Sequence, residues 1–324
     1  MSRKMMTFKT AVVAVALGAA IQASCAADYP DRPIHLVVPF PPGTSVDLVA
    51  RPLAQELSSS LRQPVIIDNR AGAGAIVGTA AVARAEPDGY TMLLVVGAHT
   101  AQASLSRLPY DPIKDFAPIT QIAASCGLVM LMHNEVPAKT VADVVALAKK
   151  DPEKLTYATL GYGSSTHIVG ALFADASGVK LTAVPYTSAS LITDFIAHRV
   201  DMAFVSTVSA QAPINTGAVT AIAVTGPRRC EMFPMVPTLM EMGYKEFDRE
   251  GYFGLAFPAK TPPAFADKIY KATAAALRTP GMQNSLTGSG LHGVGSSPKE
   301  FGDVLQDDLD KQAAIIKRLH ITKQ

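Results

Sequence analysis

The chain has 324 residues, 48% of them hydrophobic and 17% charged, with 29 basic against 27 acidic side chains, three cysteines and no tryptophan. Without a basic block, this balance argues against a nucleic-acid partner. The cysteine number and spacing exclude a zinc-finger type of site, and the seven scattered histidines form no HExxH-like pattern, so neither metal nor cofactor is expected.

Arg3, Lys4 and Lys9 precede "AVVAVALGAAI", an apolar run too short to span a bilayer comfortably. Small residues in "QASCAADYP" follow, so residues 1–27 read as a signal peptide cleaved after Ala26 or Ala27. A lipid anchor on Cys25 would want leucine or a similar residue three positions earlier, where Gln22 stands. Cleavage removes three positive charges and no acids, which moves the formal charge from +2 to −1. Cys126 and Cys230 remain. Export permits a disulfide, but about 100 residues separate the two and nothing in the sequence brings them together, so two free, buried thiols are expected.

From there strand-like and helix-like periods alternate. "IHLVVPF" reads as a strand, and Val46, Val49, Ala50, Leu53 and Leu57 recur at helical spacing over 45–60. "PVIID" is a strand, then come a Gly-rich corner, an Ala-rich helix, the turn "EPDGY" and the apolar strand "YTMLLVVG". "LPYDPIKDFAP" reads as an irregular Pro-rich connection before the strand "GLVMLMH". Thr140 and Asp143 stand at capping-box spacing before the next helix. "KLTYATLG", "KLTAVPY", "VDMAFVS" and "VTAIAVTG" are strands, with helices over "SSTHIVGALFADASG" and "SASLITDFIAH". "EGYFGLAFPA" returns as a strand, and two or three helices close the chain.

Such alternation means mostly parallel sheets covered by helices on both faces. A mature chain of 297 residues is also at the size where one core splits into two. The expected fold is α/β with two lobes: residues 28–128 plus 254–324, and residues 129–253, the chain crossing near 126–133 and again near 250–257.

In such sheets ligands sit beyond the carboxyl ends of strands, against helix starts whose unpaired N–H groups suit an anion. The informative corners are therefore "PFPPGTSVD", "GYGSSTH", "GAHTA", "PYTSAS" and "VSTVS". They place Phe40, Gly43, Thr44, Ser45 and Asp47, then Gly163, Ser164, Ser165, Thr166 and His167, then Thr187, Ser188 and Ser206, as candidate ligand residues. Hydroxyls and backbone amides dominate, which is equipment for holding a small anion rather than transforming it. Asp47 would repel a bound carboxylate; it either caps its own helix start or holds a ligand amine or ordered water. A Ser/His hydrolase built on Ser164 or Ser165 with His167 is the alternative, although the G-x-S-x-G elbow is absent.

"YPDRPIHLVVPFPPGTSVDLVAR", "QPVIIDNRAGAGAIVG", "EPDGYTMLL", "YDPIKDFAPI" and "AVTGPRR" follow one another in an order that resembles the solute-binding receptors of tripartite tricarboxylate transporters, often called Bug proteins. The resemblance implies a periplasmic, two-lobed, non-enzymatic receptor. It would close on a small organic acid and present it to membrane permease subunits; the chain itself is expected to be a monomer. The resemblance implies ligand contacts from Phe40, Gly43, Thr44, Ser45 and Asp47 on one lobe and from Gly163 to His167 on the other. Three positions depart from the family pattern: Thr44 replaces a second glycine, Thr187-Ser188 replaces Lys-Gly, and Phe253 replaces a tryptophan. A sensor that hands the same ligand's signal to a membrane kinase is the other reading.

Overall fold

The computed structural model describes residues 29–186 and 190–321; the expected signal peptide and the candidate residues Thr187 and Ser188 lie outside the described residues. Strands form where short apolar runs meet turn residues. β1 (Ile34–Val38), β2 (Val65–Asn69), β3 (Thr91–Val96), β4 (Phe116–Ser125), β10 (Gly251–Pro258) and β11 (Leu291–Gly293) build one sheet in the order β11-β4-β10-β3-β1-β2. β5 (Val129–His133), β6 (Thr156–Thr159), β7 (Thr182–Pro185), β8 (Met202–Val205) and β9 (Val219–Val224) build a second, ordered β7-β6-β8-β5-β9. The molecule is thus α/β with two lobes, as the alternation predicts.

The pairing directions follow from the chain path. β1 runs parallel to β2 and β3, and β6 runs parallel to β7 and β8. β10 is antiparallel to β3 and β4, and β5 is antiparallel to β8 and β9. β5 and β10 are the strands entered directly after the chain leaves the other sheet. They begin at the edge where their neighbours end, so they must run the opposite way. The carboxyl ends of the remaining principal strands gather at that same edge, which places the strand-to-helix corners of both lobes there.

Helices cover the sheets as their apolar spacing requires. α1 (Ser45–Leu61) buries Val46, Val49, Ala50, Leu53 and Leu57 against β1 and the later helix over Pro263–Ala276. α2 (Ile76–Ala83) and α3 (Ala98–Leu105) follow in the first lobe. α4 (Val141–Lys150), α5 (Ser165–Ser177), α6 (Ser190–Ile196) and α7 (Thr207–Asn215) belong to the second lobe. The capping box of Thr140 and Asp143 is formed at the start of α4. α8 (Pro263–Ala276), α9 (Pro280–Gly288) and α10 (Pro298–Arg318) close the chain. α10 straddles the two lobes: Phe301 and Leu305 sit in the first core, whereas Ile316 packs on Ile168 and Leu105. No described helix is long and apolar enough to cross a membrane.

The structure departs from the sequence reading in three respects besides the short strand β11, which lies among the closing helices. β4 begins inside the Pro-rich connection, with Pro118 opposite Ala256 where the β4–β10 register shifts; the irregular pairing accommodates a residue without an N–H. α3 and α7 start at hydroxyl-rich corners and are too short for a clear period. The third difference concerns the cysteines. Cys126 and Cys230, expected to be free, form a disulfide with Cα atoms 5.4 Å apart. The residues just before β5 and just after β9 lie side by side: the Thr225 N–H donates to the Leu128 carbonyl (2.9 Å) and the Leu128 N–H to Thr225 Oγ1 (2.7 Å). A Cβ on Gly226 would stand 2.3 Å from the Cys126 carbonyl oxygen, so only glycine permits this approach. Because β5 and β9 are neighbours, the residues before one and after the other meet, and sequence separation hides that.

Candidate functional site

A cavity of about 700 Å³ opens between the facing strand ends. Phe40 after β1, Gly97 and Ala98 after β3, and Ser125 at the end of β4 line it from the first lobe. Gly163, Ser164 and Ser165 line it from the second.

Around the first corner, Pro39, Pro41 and Pro42 end strand pairing, and Gly43 takes a positive φ of 80°. Thr44 is the N-cap of α1, but its hydroxyl donates back to the Pro41 carbonyl (2.9 Å), so no side chain caps the helix N–H groups. Asp47 is buried. Its Oδ2 accepts the Gly43 N–H (2.9 Å) and Arg51 Nε (2.7 Å), while its Oδ1 accepts Asn69 Nδ2 (3.2 Å). Burial would raise the Asp47 pKa, yet the bonds from Arg51, Gly43 and Asn69 outweigh it and hold the carboxylate below its ordinary value. Asn69 also donates to the Phe40 carbonyl (3.0 Å), so Asp47 and Asn69 together fix the bend that presents Phe40. Gly43 and Ser45 are exposed and Thr44 is half-buried, and these three do not line the cavity.

At the second corner, Gly161 and Gly163 take φ values of 93° and 77°. Ser164 is the N-cap of α5: its Oγ accepts the His167 N–H (3.3 Å) and donates to the Gly161 carbonyl (2.7 Å). Thr166 is buried and its Oγ1 accepts the Leu160 N–H (2.8 Å). It therefore turns inward and fixes the loop. His167 Nδ1 accepts the Gly163 N–H (3.2 Å), and burial lowers its pKa. Ser165 is exposed at the helix start and lines the cavity. With Ser164 donating to a carbonyl and His167 accepting a main-chain N–H, neither is arranged as a nucleophile and its base. Facing this corner is α3: a Cβ on Gly163 would lie 3.5 Å from Leu105.

Of the two remaining corners that are fully described, the one at 97–101 lines the cavity through Gly97, Ala98 and Ala101, and the one at 205–209 does not. His99 is buried, its Nε2 2.7 Å from the Pro112 carbonyl, and burial pulls its pKa down to about 4. Ser206 caps α7 by accepting the Ser209 N–H (3.2 Å) and lies outside the cavity lining.

One group of cavity residues was absent from the sequence reading. Asp308 on α10 accepts from Thr100 Oγ1 (2.5 Å) and Arg249 Nη1 (2.9 Å), and Tyr252 OH joins the pair at 3.0 Å from Thr100 and 3.3 Å from Asp308. A signal existed. Phe301, Leu305, Asp308, Gln312 and Ile316 share one helical stripe, so two polar residues interrupt an otherwise apolar face. Around the rest of the lining, Leu105, Leu128, Leu160, Ile168 and Phe247 make the walls apolar.

Two lobes that meet at their strand ends, joined by two crossings and enclosing a cavity with helix starts at its wall, define a two-lobed binding protein. Residues 49–321 match the receptor of the tripartite tricarboxylate transporter family, and the chain belongs to that family. Protein BugT of Bordetella pertussis is 30% identical over 318 residues, which is 96% of this chain and 97% of that one. The solved structure of the periplasmic binding protein BugD superposes with a TM-score of 0.76 at 31% identity, covering 91% of this chain and all of the other. The R. palustris protein Rpa4515, solved with adipate, superposes with a TM-score of 0.79 at 28% identity over 91% of this chain and 100% of its own.

Proposed function

We propose that the protein captures a small carboxylate between its lobes in the periplasm and presents it to the membrane permease subunits of a tripartite transporter, without chemical turnover. The carrying observation is the α5 helix start: Gly163, Ser164 and Ser165 open onto the cavity that Phe40 and Gly97 line from the opposite lobe. The first-turn N–H groups at Ser165 and Thr166 and the positive end of the helix suit a carboxylate there. The adipate held by Rpa4515 supports the same class of ligand. Thermal-shift and calorimetric titration against a panel of carboxylates tests the reading. A ligand at about 100 times its Kd adds roughly 2.7 kcal/mol to stability. If no carboxylate in a broad panel raises the melting temperature, the reading falls.

A further inference from the structure

We infer that His133, Glu135 and His198 form a site for a divalent transition-metal ion of the zinc type, at the end of the second lobe remote from the cavity.

Along the chain the histidines make no metal pattern, but the fold brings two of them together. Leu128, just before β5, lines the cavity, and His133 closes that strand about 16 Å further along. His198 stands in the turn between α6 and β8, where a positive φ of 53° helps lay its ring over that of His133. The two ring centroids are 4.1 Å apart and their planes 8° from parallel. Glu135, in the turn after β5, reaches the same point, and ligand atoms of the three residues lie within 4.8 Å of one another.

Both rings are held as metal-binding imidazoles commonly are, with one nitrogen on a carbonyl or carboxylate and the other turned to the ion. His133 is buried. Its Nδ1 accepts the Glu135 N–H (3.3 Å), which leaves the ring proton on Nε2, 3.3 Å from the Ile196 carbonyl. His198 lies between two carboxylates: Nδ1 is 3.0 Å from Glu135 Oε2 and Nε2 is 3.4 Å from Asp201 Oδ1. A neutral imidazole donates to only one of them, so a cation belongs at the other. Asp201 is anchored by the Thr156 N–H (2.8 Å) and hydroxyl (2.7 Å), which makes it the fixed partner of Nε2. Glu135 is exposed and free to swing, so the cation falls between its carboxylate and Nδ1. A proton there would serve His198 alone. His133 Nδ1 brings a second nitrogen to the same carboxylate, and two imidazoles with one carboxylate suit zinc and its neighbours rather than magnesium or calcium. With zinc bonds of about 2.1 Å, tetrahedral donor atoms stand about 3.3 Å apart. The His198–Glu135 pair is already near that spacing, and His133 Nδ1 exchanges the Glu135 N–H for the ion as the stacked rings fan apart. A bound ion clamps the turn after β5 to the turn before β8, 63 positions apart in sequence.

The experiment takes the native protein without a histidine tag, strips it with EDTA, dialyses the chelator away and titrates zinc chloride by calorimetry. One zinc ion per chain is expected to bind at this cluster, with a melting temperature that rises with zinc and returns with EDTA; magnesium is expected to do neither. Glu135→Gln and His198→Asn are each expected to weaken zinc at least tenfold, while circular dichroism of the metal-free variants matches the native protein. Asparagine tolerates the positive φ at 198. In 15N spectra of the histidine rings, zinc is expected to shift Nδ1 of His133 and His198, with the protons kept on Nε2. Zinc that fails to bind overturns the inference and leaves a protonated ion pair. Zinc that binds both variants as tightly as the native protein also overturns it, because the ion then sits elsewhere.

Discussion

Burial strips His99 of the water that would solvate a charge, and its Nδ1 has no partner to compensate. The imidazole is neutral when folded, with a pKa near 4 against an ordinary value of 6.5. The unfolded chain thus binds the extra proton first as the medium acidifies. Stability is full above about 6.5 and declines as the pH falls toward 4, by about 3 kcal/mol for this residue alone. Denaturant midpoints between pH 7 and 4 measure that slope, and His99→Gln is expected to flatten it. Asp47 acts lower on the scale. Its depressed pKa supplies stability above the ordinary carboxylate range, lost only as the pH drops through its folded value.

Helix starts carry the proposed binding chemistry, and neighbouring hydroxyls in the α5 corner have different jobs. Ser165→Ala is expected to weaken carboxylate binding by about 1 to 3 kcal/mol and leave the melting temperature unchanged. Thr166→Ala removes the acceptor of the Leu160 N–H and is expected to lower stability by a similar amount. Calorimetry and thermal melts on the two variants separate these outcomes. This corner was legible because glycines before a run of hydroxyls announce a turn entering a helix. The bend at Pro39–Ser45 was legible for the same reason, but the sequence could not tell that Asp47 faces Gly43, Arg51 and Asn69. β4 was hidden by Pro118, since a proline within a run argues against a strand until a shifted partner strand receives it. The Asp308 network was hidden by distance: Thr100, Tyr252 and Asp308 meet only once α10 is laid across α3 and β10.

At the scale of the whole molecule, the alternating pattern predicted two α/β lobes, and the antiparallel placement of β5 and β10 follows from the two crossings. What composition did not reveal was that the segment before β5 touches the segment after β9. Their contact carries the Cys126–Cys230 bond, with a sequence separation of 104 residues. A link closing a loop of about 100 residues removes chain entropy worth about 4.7 kcal/mol from the unfolded ensemble. Urea unfolding of the native protein and of the Cys126→Ser/Cys230→Ser variant is expected to differ by a large part of that amount. The bond also closes residues 126–230, most of the second lobe, into a covalent ring. A protease that nicks the backbone once anywhere inside the ring leaves one molecule of unchanged mass apart from the added water, which parts into two fragments only when a thiol reductant opens the clasp.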